Sequence, residues 1–586
     1  MPITLPETVT DLPFLGAQQF GDLPVQRFKR DGSWQDLSYQ QLADIAAEIG
    51  LGLAALGIRP GDRVAVLADT RPEWTHAQLG IAAAGAVLVP VYPSSSPPEC
   101  QWVLGDSGAV AVICEDPAQV AKVEQVRDQL PALVHVIVID GEHELSLAAV
   151  RARGADTDRE ELERRRDTVQ PDDPCLIIYT SGTTGPPKGC ILTHRNMTAC
   201  CSITYDLGIV SAGDVAYLFL PLAHVFAQVI EMSMATIGGV IAYCSEGAKK
   251  ILPDCAEVAP TVLPSVPRIF EKVYASIASQ VPADTLAKAV EAALNARTLD
   301  EQGVTVPDDL RRSAEHAESA LLSKARAVFG GRVRVAISGA APIAREILQF
   351  FHAADVPVYE GYGMSESAAV GTFNTPTHVR LGTIGRTVPG CETRIADDGE
   401  ILMKGPHIFA GYWNNPVATA EILKDGWLFT GDLGSIDKNG FVTITGRKKD
   451  IIITAGGKNL TPANMENELR QSPWISHAVM YGDRRPYPVA LVTLDAELVL
   501  PWAREQGLPE DLASLAIHPT VRSLVQAVID QANSHHAKVA QVKRFSILAH
   551  DFTLETGELT PSLKIKRNVI AQMYANVFEA LYAEPS

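Results

Sequence analysis

Short apolar runs of β character recur along the first third of the chain: Arg63-Val-Ala-Val-Leu67, Ala109–Cys114, His135–Ile139 and Leu176–Tyr179. Stretches such as Tyr39–Leu56 carry their apolar residues at helical spacing instead. That alternation predicts βαβ units and parallel sheets, hence an α/β fold. One run constrains the chain further. Cys175-Leu-Ile-Ile-Tyr179, read as a buried strand, opens directly into Thr180-Ser-Gly-Thr-Thr-Gly-Pro-Pro-Lys-Gly189. Glycines let backbone N–H groups approach phosphate oxygens, hydroxyls add donors, and Lys188 adds a point charge, so the loop suits a polyphosphate. It is not a Walker A loop, because no Gly-Lys-Ser/Thr triplet closes it. Thr193 is placed to cap a helix beginning at His194.

A length of 586 residues exceeds one ordinary domain and lets a fold bury about three-quarters of the surface its unfolded chain exposes. The net charge of −19 argues against a nucleic-acid-binding surface but leaves room for a local basic pocket. Nine cysteines show neither C-x-x-C pairs nor metal-ligand spacing, which suits reduced core thiols and a cytoplasmic protein. The opening residues Met1–Thr8 lack a basic n-region and a continuous apolar run, so no secretory signal is expected. The longest apolar stretches, near Leu79–Tyr92 and Met232–Cys244, are too short and too interrupted to span a bilayer. Peripheral membrane contact and oligomeric state are left open.

Along the chain, Arg159–Asp167 reads as a solvated helix face or linker, and Pro282–Phe329 as a surface helical elaboration. A second strand–loop unit lies at Arg332–Ile337 followed by Ser338-Gly-Ala-Ala-Pro342. Beyond about residue 375 the texture becomes β-rich, with Gly399–Met403 and Gly440–Ile444 as strands. The basic turn Gly446-Arg-Lys-Lys-Asp450 marks a domain boundary, with a large N-terminal domain over 1–447 and a small, mobile C-terminal α/β domain over 448–586. The last helix is expected to pack Ile570, Met573, Tyr574, Val577, Phe578 and Leu581 along one face.

Four further clusters carry chemistry. In Tyr359-Glu-Gly-Tyr-Gly-Met-Ser-Glu366, Gly361 and Gly363 flank Tyr362, presenting its ring for stacking on a base, and Glu366 offers a hard oxygen ligand beside phosphates. In Trp427–Asp432, the terminal carboxylate can accept bonds from both ribose hydroxyls. In Gly446–Asn459, Arg447 is an anion or ribose contact, and Gly456-Gly457 allow a slender ligand to approach. Gly557–Arg567 ends the series with its lysines.

Together, in this order, the clusters resemble the adenylate-forming acyl-CoA synthetases from about Leu37 to Lys566. Tyr179–Gly189 is the most specific motif, supported by Tyr359–Glu366, Phe429–Asp432 and Gly446–Asp450. Pro221-Leu-Ala-His-Val-Phe226, Ile453–Asn459 and Gly557–Lys564 look like the long-chain fatty acid–CoA ligase branch. The resemblance implies ATP, Mg2+ and coenzyme A as cofactor and co-substrates. Thr180, Ser181, Gly182, Thr183, Thr184, Gly185 and Lys188 would hold the ATP phosphates, Gly339, Ala340, Ala341 and Tyr362 would frame the adenine, and Glu360 belongs to the implied cofactor-binding set. Ser365 would touch the α-phosphate, Glu366 with Thr180 would hold Mg2+, and Asp432 and Arg447 would bind ribose. Lys564 matches the lysine of adenylation and Lys449 the hinge. Gly456 falls where pantetheine passes, Lys458 belongs to the implied cofactor-binding set, and His224 lies between the acyl pocket and that tunnel. Lys564, Lys188, Glu366 and His224 form the implied catalytic set.

The implied reaction joins a long-chain fatty acid to CoA through an acyl-adenylate, releasing AMP and pyrophosphate. A carrier-protein thiol, or a shorter or aromatic acid, is the alternative. Residues 224–245 are apolar, and no acidic or basic residue there announces a substrate amine or second carboxylate.

Overall fold

The computed structural model describes residues 3–180, 186–245, 247–455, 458–560 and 564–583. A seven-stranded sheet runs in the order Gly411–Tyr412, Lys188–Thr193, Pro174–Thr180, Val87–Val91, Arg63–Leu67, Ala111–Cys114 and His135–Val138. The last five strands are parallel, and an antiparallel hairpin closes one edge. A nine-stranded sheet lies beyond, with the parallel strands Val358–Tyr362, Val335–Ser338, Val262–Ser265, Val215–Leu218, Val240–Tyr243 and Pro24–Arg30 at its centre.

The two-residue period of these strands accounts for the layering. Val64 and Val66 face one core while Ala65 and Leu67 face another. Ala216 and Leu218 join that first core, whereas Val215 and Tyr217 join a third. The shared core is filled by the helices Tyr39–Ala55, Pro72–Ala83, His194–Asp206 and Val225–Ile237, which lie between the sheets. Helices such as Pro97–Ser107 and Pro267–Ala278 cover the outer faces. Both sheets are therefore buried on both sides, which is why their strands read as unbroken apolar runs.

A third, antiparallel sheet (Glu392–Ile395, Glu400–Lys404, Leu423–Lys424, Trp427–Ile436, Val442–Arg447) carries the β-rich texture. From Ile452 onward the buried residues join separate cores. They pack on both faces of a small sheet, Ile475–Tyr481, Val489–Leu494 and Arg544–Ile547. The α/β expectation holds, with a large N-terminal and a small C-terminal domain.

Thr193 caps its helix, accepting from Asn196 N at 3.1 Å while Asn196 Oδ1 accepts from Thr193 N at 2.9 Å. Arg159–Thr168 is a helix burying Leu162. Cys100, Cys114, Cys175, Cys190, Cys200, Cys201, Cys255 and Cys391 are free thiols. Among the described residues no helix is long and apolar enough to cross a membrane. One expectation holds for five of its six residues. The terminal segment breaks at Tyr574 into Arg567–Met573 and Ala575–Tyr582, yet Ile570, Tyr574, Val577, Phe578 and Leu581 pack on one core. Ile570 and Phe578 are buried, but Met573 is 49% exposed.

Candidate active site

The hairpin that carries the phosphate-type loop is closed by the pairing of Thr180 with Lys188. Ser181, Gly182, Thr183, Thr184 and Gly185 lie outside the described residues. The hairpin's free edge pairs with Gly411–Tyr412, and this register brings Tyr412 into the site. Its ring lies 5.1 Å from Lys188 Nζ, and its hydroxyl donates to Glu366 Oε1 at 2.6 Å. Phe409 N donates to the Glu366 carbonyl at 3.0 Å, so the same segment holds backbone and side chain of Glu366. Beneath it, burial and the nearby Glu366 push the Cys190 thiol far above its ordinary range, and that thiol is no nucleophile.

Glu366 is buried, with its carboxylate at the mouth of the hairpin. Mg2+ ordinarily takes one or two carboxylates together with phosphate oxygens and water. Among the described residues no group of three or more His, Cys, Asp or Glu side chains could hold a metal. A single buried carboxylate of this kind suits an ion shared with polyphosphate oxygens.

The backbone of Tyr359–Glu366 is tight for a reason. A Cβ on Gly361 would sit 2.7 Å from the Phe373 ring, and one on Gly363 would sit 2.2 Å from the Ala369 backbone. Ala340, Ala368 and Ala369 adopt positive φ, which concentrates strained backbone here. Tyr362 is half-buried, and its hydroxyl donates to Asp432 Oδ2 at 2.5 Å. Arg447 Nε donates to Asp432 Oδ1 at 2.7 Å, from the residue directly opposite in the strand pair. Both carboxylate oxygens are thus engaged, each keeping a lone pair for a ligand hydroxyl. Glu360 accepts from Gly382 N at 3.0 Å, and burial raises its carboxyl to about 7. Ser365 is buried in the same turn, while Gly339 is half-buried and Ala340 and Ala341 are exposed at the end of the Val335–Ser338 strand.

Lys564 is exposed, although protein atoms crowd around its ammonium group. Burial and the Arg447 guanidinium lower its pKa, while Glu366 and Asp432 oppose the shift. His224 caps the Val225–Ile237 helix, with Nδ1 accepting from Phe226 N at 3.2 Å. Burial and Lys564 lower its pKa to about 4, so the imidazole is neutral with Nε2 carrying the proton. Lys564 therefore connects electrostatically to residues from four separate segments of the large domain. Lys449 is exposed in the turn Lys448–Asp450, Lys458 is an exposed residue of the small domain, and Gly456 lies outside the described residues.

Three groups escape the sequence reading. Tyr412 has no motif around it and is revealed only by strand register. Lys448 bridges Asp398 and Glu400 at 2.6 Å each, fastening the basic turn to the third sheet. The apolar 224–245 stretch does hold an acid: Glu231, 2% exposed, accepts from Thr75 and lies within 3.4 Å of the Tyr243 hydroxyl. Its partners are internal, and burial raises it to about 7.

The AMP-binding enzyme family matches residues 16–413, and its C-terminal domain matches 449–586. The long-chain-fatty-acid–CoA ligase FadD15 of Mycobacterium tuberculosis is 40% identical over 566 residues, covering 94% of this chain and 93% of the relative. The human long-chain-fatty-acid–CoA ligase ACSBG1 is 30% identical, covering 99% and 86%. A fatty acyl CoA synthetase of M. tuberculosis shares the fold with a TM-score of 0.63 at 23% identity, covering 97% and 99%. The chain belongs to the AMP-binding enzyme family.

Proposed function

We propose that this AMP-binding enzyme activates a long-chain fatty acid with ATP and passes the acyl group to coenzyme A. The observation that carries the reading is the placement of Lys564 from the small domain against Glu366, Asp432, Arg447 and His224 of the large one. A cation there faces a candidate phosphate site and a candidate ribose site together, as attack at an α-phosphate requires. The fatty carboxylate attacks the α-phosphorus, the bond to the β,γ-phosphates breaks, and pyrophosphate leaves with its electron pair. The acyl–AMP anhydride remains. The CoA thiol then attacks the acyl carbonyl, its proton is lost, and AMP departs.

The chain supplies positioning and charge rather than a nucleophile. Lys188 and Lys564 stabilise the phosphoryl oxygens from opposite sides. The loop at 180–185 cradles the β,γ-phosphates, and Ser365 contacts the α-phosphate. Asp432, oriented by Tyr362 and Arg447, accepts the ribose hydroxyls. Glu360, Tyr362 and Gly339–Ala341 frame the base. Glu366 and Thr180 would hold Mg2+, which when bound neutralises charge building on the phosphate oxygens. Neutral His224 can donate from Nε2 toward the acyl carbonyl without adding a positive charge beside Lys564. The small domain, from 448 onward, turns about Lys449 so that the segment at Gly456 and Lys458 guides pantetheine in the second step.

Substrate class is supported by the relatives' names and by the apolar Val225–Ile237 helix, whose one acid is spent on internal partners. Pyrophosphate release measured over a series of fatty acids, with and without CoA, tests the reading. Maximal release with long chains and CoA-dependent thioester formation is the expected result. An adenylate that forms but never yields acyl-CoA would reassign the acceptor to a carrier thiol, and no release with any fatty acid would refute the activity.

A further inference from the structure

The helix Pro267–Ala278 presents two faces of different character. Phe270, Val273 and Ile277 are buried against the nine-stranded sheet at helical spacing. Arg268, Glu271 and Lys272 lie on the opposite side, and all three are paired to the small domain. Arg268 reaches Asp495 at 2.5 Å, Lys272 reaches Glu497 at 2.5 Å, and Arg470 approaches Glu271 at 3.9 Å. The charge order along the helix is plus, minus, plus, and the facing groups are its complement. Asp495 also caps the Ala496–Glu505 helix, accepting from Glu497 N at 3.0 Å, and Arg470 ends the Pro462–Leu469 helix. The contact therefore joins one large-domain helix to the ends of two small-domain helices.

The pairs differ in exposure. Lys272 and Glu497 are open to solvent, whereas Asp495 is 9% exposed and Glu271 18%. Burial raises the Glu271 carboxyl, and among the described residues neither its Oε2 nor Arg470 Nε has a hydrogen-bond partner. Complementary charge in one register opposes rotation, because any displaced register sets like charges together or leaves a half-buried ion alone. In the docked register Lys564 faces Glu366, Asp432 and His224.

We propose that Arg268, Glu271 and Lys272 form an electrostatic seat for the small domain. The seat holds Lys564 in the adenylation position and must be vacated before thioester formation. These are positioning residues, since they touch neither substrate nor the reacting atoms. The inference rests on the acyl-adenylate reading for its kinetic consequence, but not for its structural one.

The test compares wild type, Arg268→Glu, Lys272→Glu and the exchanged pair Lys272→Glu/Glu497→Lys. It measures pyrophosphate release with a fatty acid, thioester formation from preformed acyl-adenylate, and hydrogen exchange of the ligand-free protein. Arg268→Glu should slow adenylation on the order of tenfold and Lys272→Glu a few-fold, with no loss in the thioester step. Exchange should rise at both Pro267–Ala278 and the start of Ala496–Glu505, and the exchanged pair should restore both readouts. Arg504→Glu, which breaks an exposed pair with Glu510 inside the small domain, serves as control and should change neither. Equal losses in both half-reactions, or unchanged exchange on charge reversal, would overturn the seat. The exchange result decides the matter even if no fatty acid is activated, so failure of the proposed function and failure of the seat are separable.

Discussion

The carboxylate of Glu366 is aimed by Tyr412, whose hydroxyl meets Oε1 at 2.6 Å while its ring underlies the Lys188 ammonium. One side chain thus sets the geometry of an anion and a cation that the proposed mechanism directs at the same phosphates. A hydrogen bond to a charged group contributes about 1.5–3 kcal/mol, so Tyr412→Phe is expected to slow pyrophosphate release roughly ten- to a hundredfold. The cation–ring contact survives in that variant, and an unchanged rate would show that Glu366 does not depend on the hydroxyl. Glu231 behaves differently, because it is buried away from this cluster. Its carboxyl is raised by burial from an ordinary value of 4.5 to about 7. Between those values the folded state holds a proton that the unfolded chain has lost, so the stability tied to protonation is complete below pH 4.5 and disappears as pH rises through 7. Glu231→Gln removes that dependence. The variant should gain on wild type between pH 5 and pH 8 by up to ~3 kcal/mol, read as a melting-temperature difference that widens with pH. A difference constant with pH would mean that the carboxyl is ionised throughout.

Among the elements, the turn at Tyr359–Glu366 shows how far local sequence carries. Gly361 and Gly363 mark a constricted backbone, and the structure shows what constricts it: the Phe373 ring and the Ala369 main chain. Gly440, by contrast, has φ +82°, and a Cβ added there would meet nothing within 4 Å. Gly440→Ala meets only left-handed backbone strain of about 1 kcal/mol, while Gly363→Ala drives a methyl into backbone and should cost about 3 kcal/mol or more. Thermal denaturation of the two variants measures the difference, and similar losses would mean that the Ala369 segment yields freely. The same contrast describes what was legible. Strands such as Arg63–Leu67 and the Thr193 cap follow from periodicity and side-chain chemistry within a few residues. Tyr412 and Lys448 depend on which strand lies beside which, and no local pattern encodes a register across the sheet. The terminal segment was legible in part. Its apolar spacing finds the five residues that pack on one core, but not the break at Tyr574 or the exposure of Met573.

At the scale of the whole molecule, the candidate site is complete only because the small domain delivers Lys564 into a cleft that the large domain has already organised. Asp432 and Arg447 neutralise each other there, and Lys188 is drawn to Tyr412, so Lys564 adds a cation where phosphoryl charge would develop. Its pKa is lowered by burial and by Arg447, which means that the protein around it holds its positive charge less readily than water does. A bound triphosphate reverses that balance, so nucleotide binding and docking of Lys564 reinforce each other. The second half-reaction would break the acyl carbon–oxygen bond rather than a bond at phosphorus, so it would make a smaller demand on a cation beside the α-phosphorus. Lys564→Ala is therefore expected to reduce adenylation by about a hundredfold or more, the scale seen when a preorganised donor to a developing anion is removed. Conversion of preformed acyl-adenylate by CoA should stay within a few-fold of wild type. The measurement is a paired one on the same preparation, pyrophosphate release for the first step and thioester formation for the second. Parallel loss in both would mean that Lys564 supports the cleft as a whole rather than the transition state of the first step. A loss confined to the first makes the small domain a carrier of catalytic charge whose orientation selects the step.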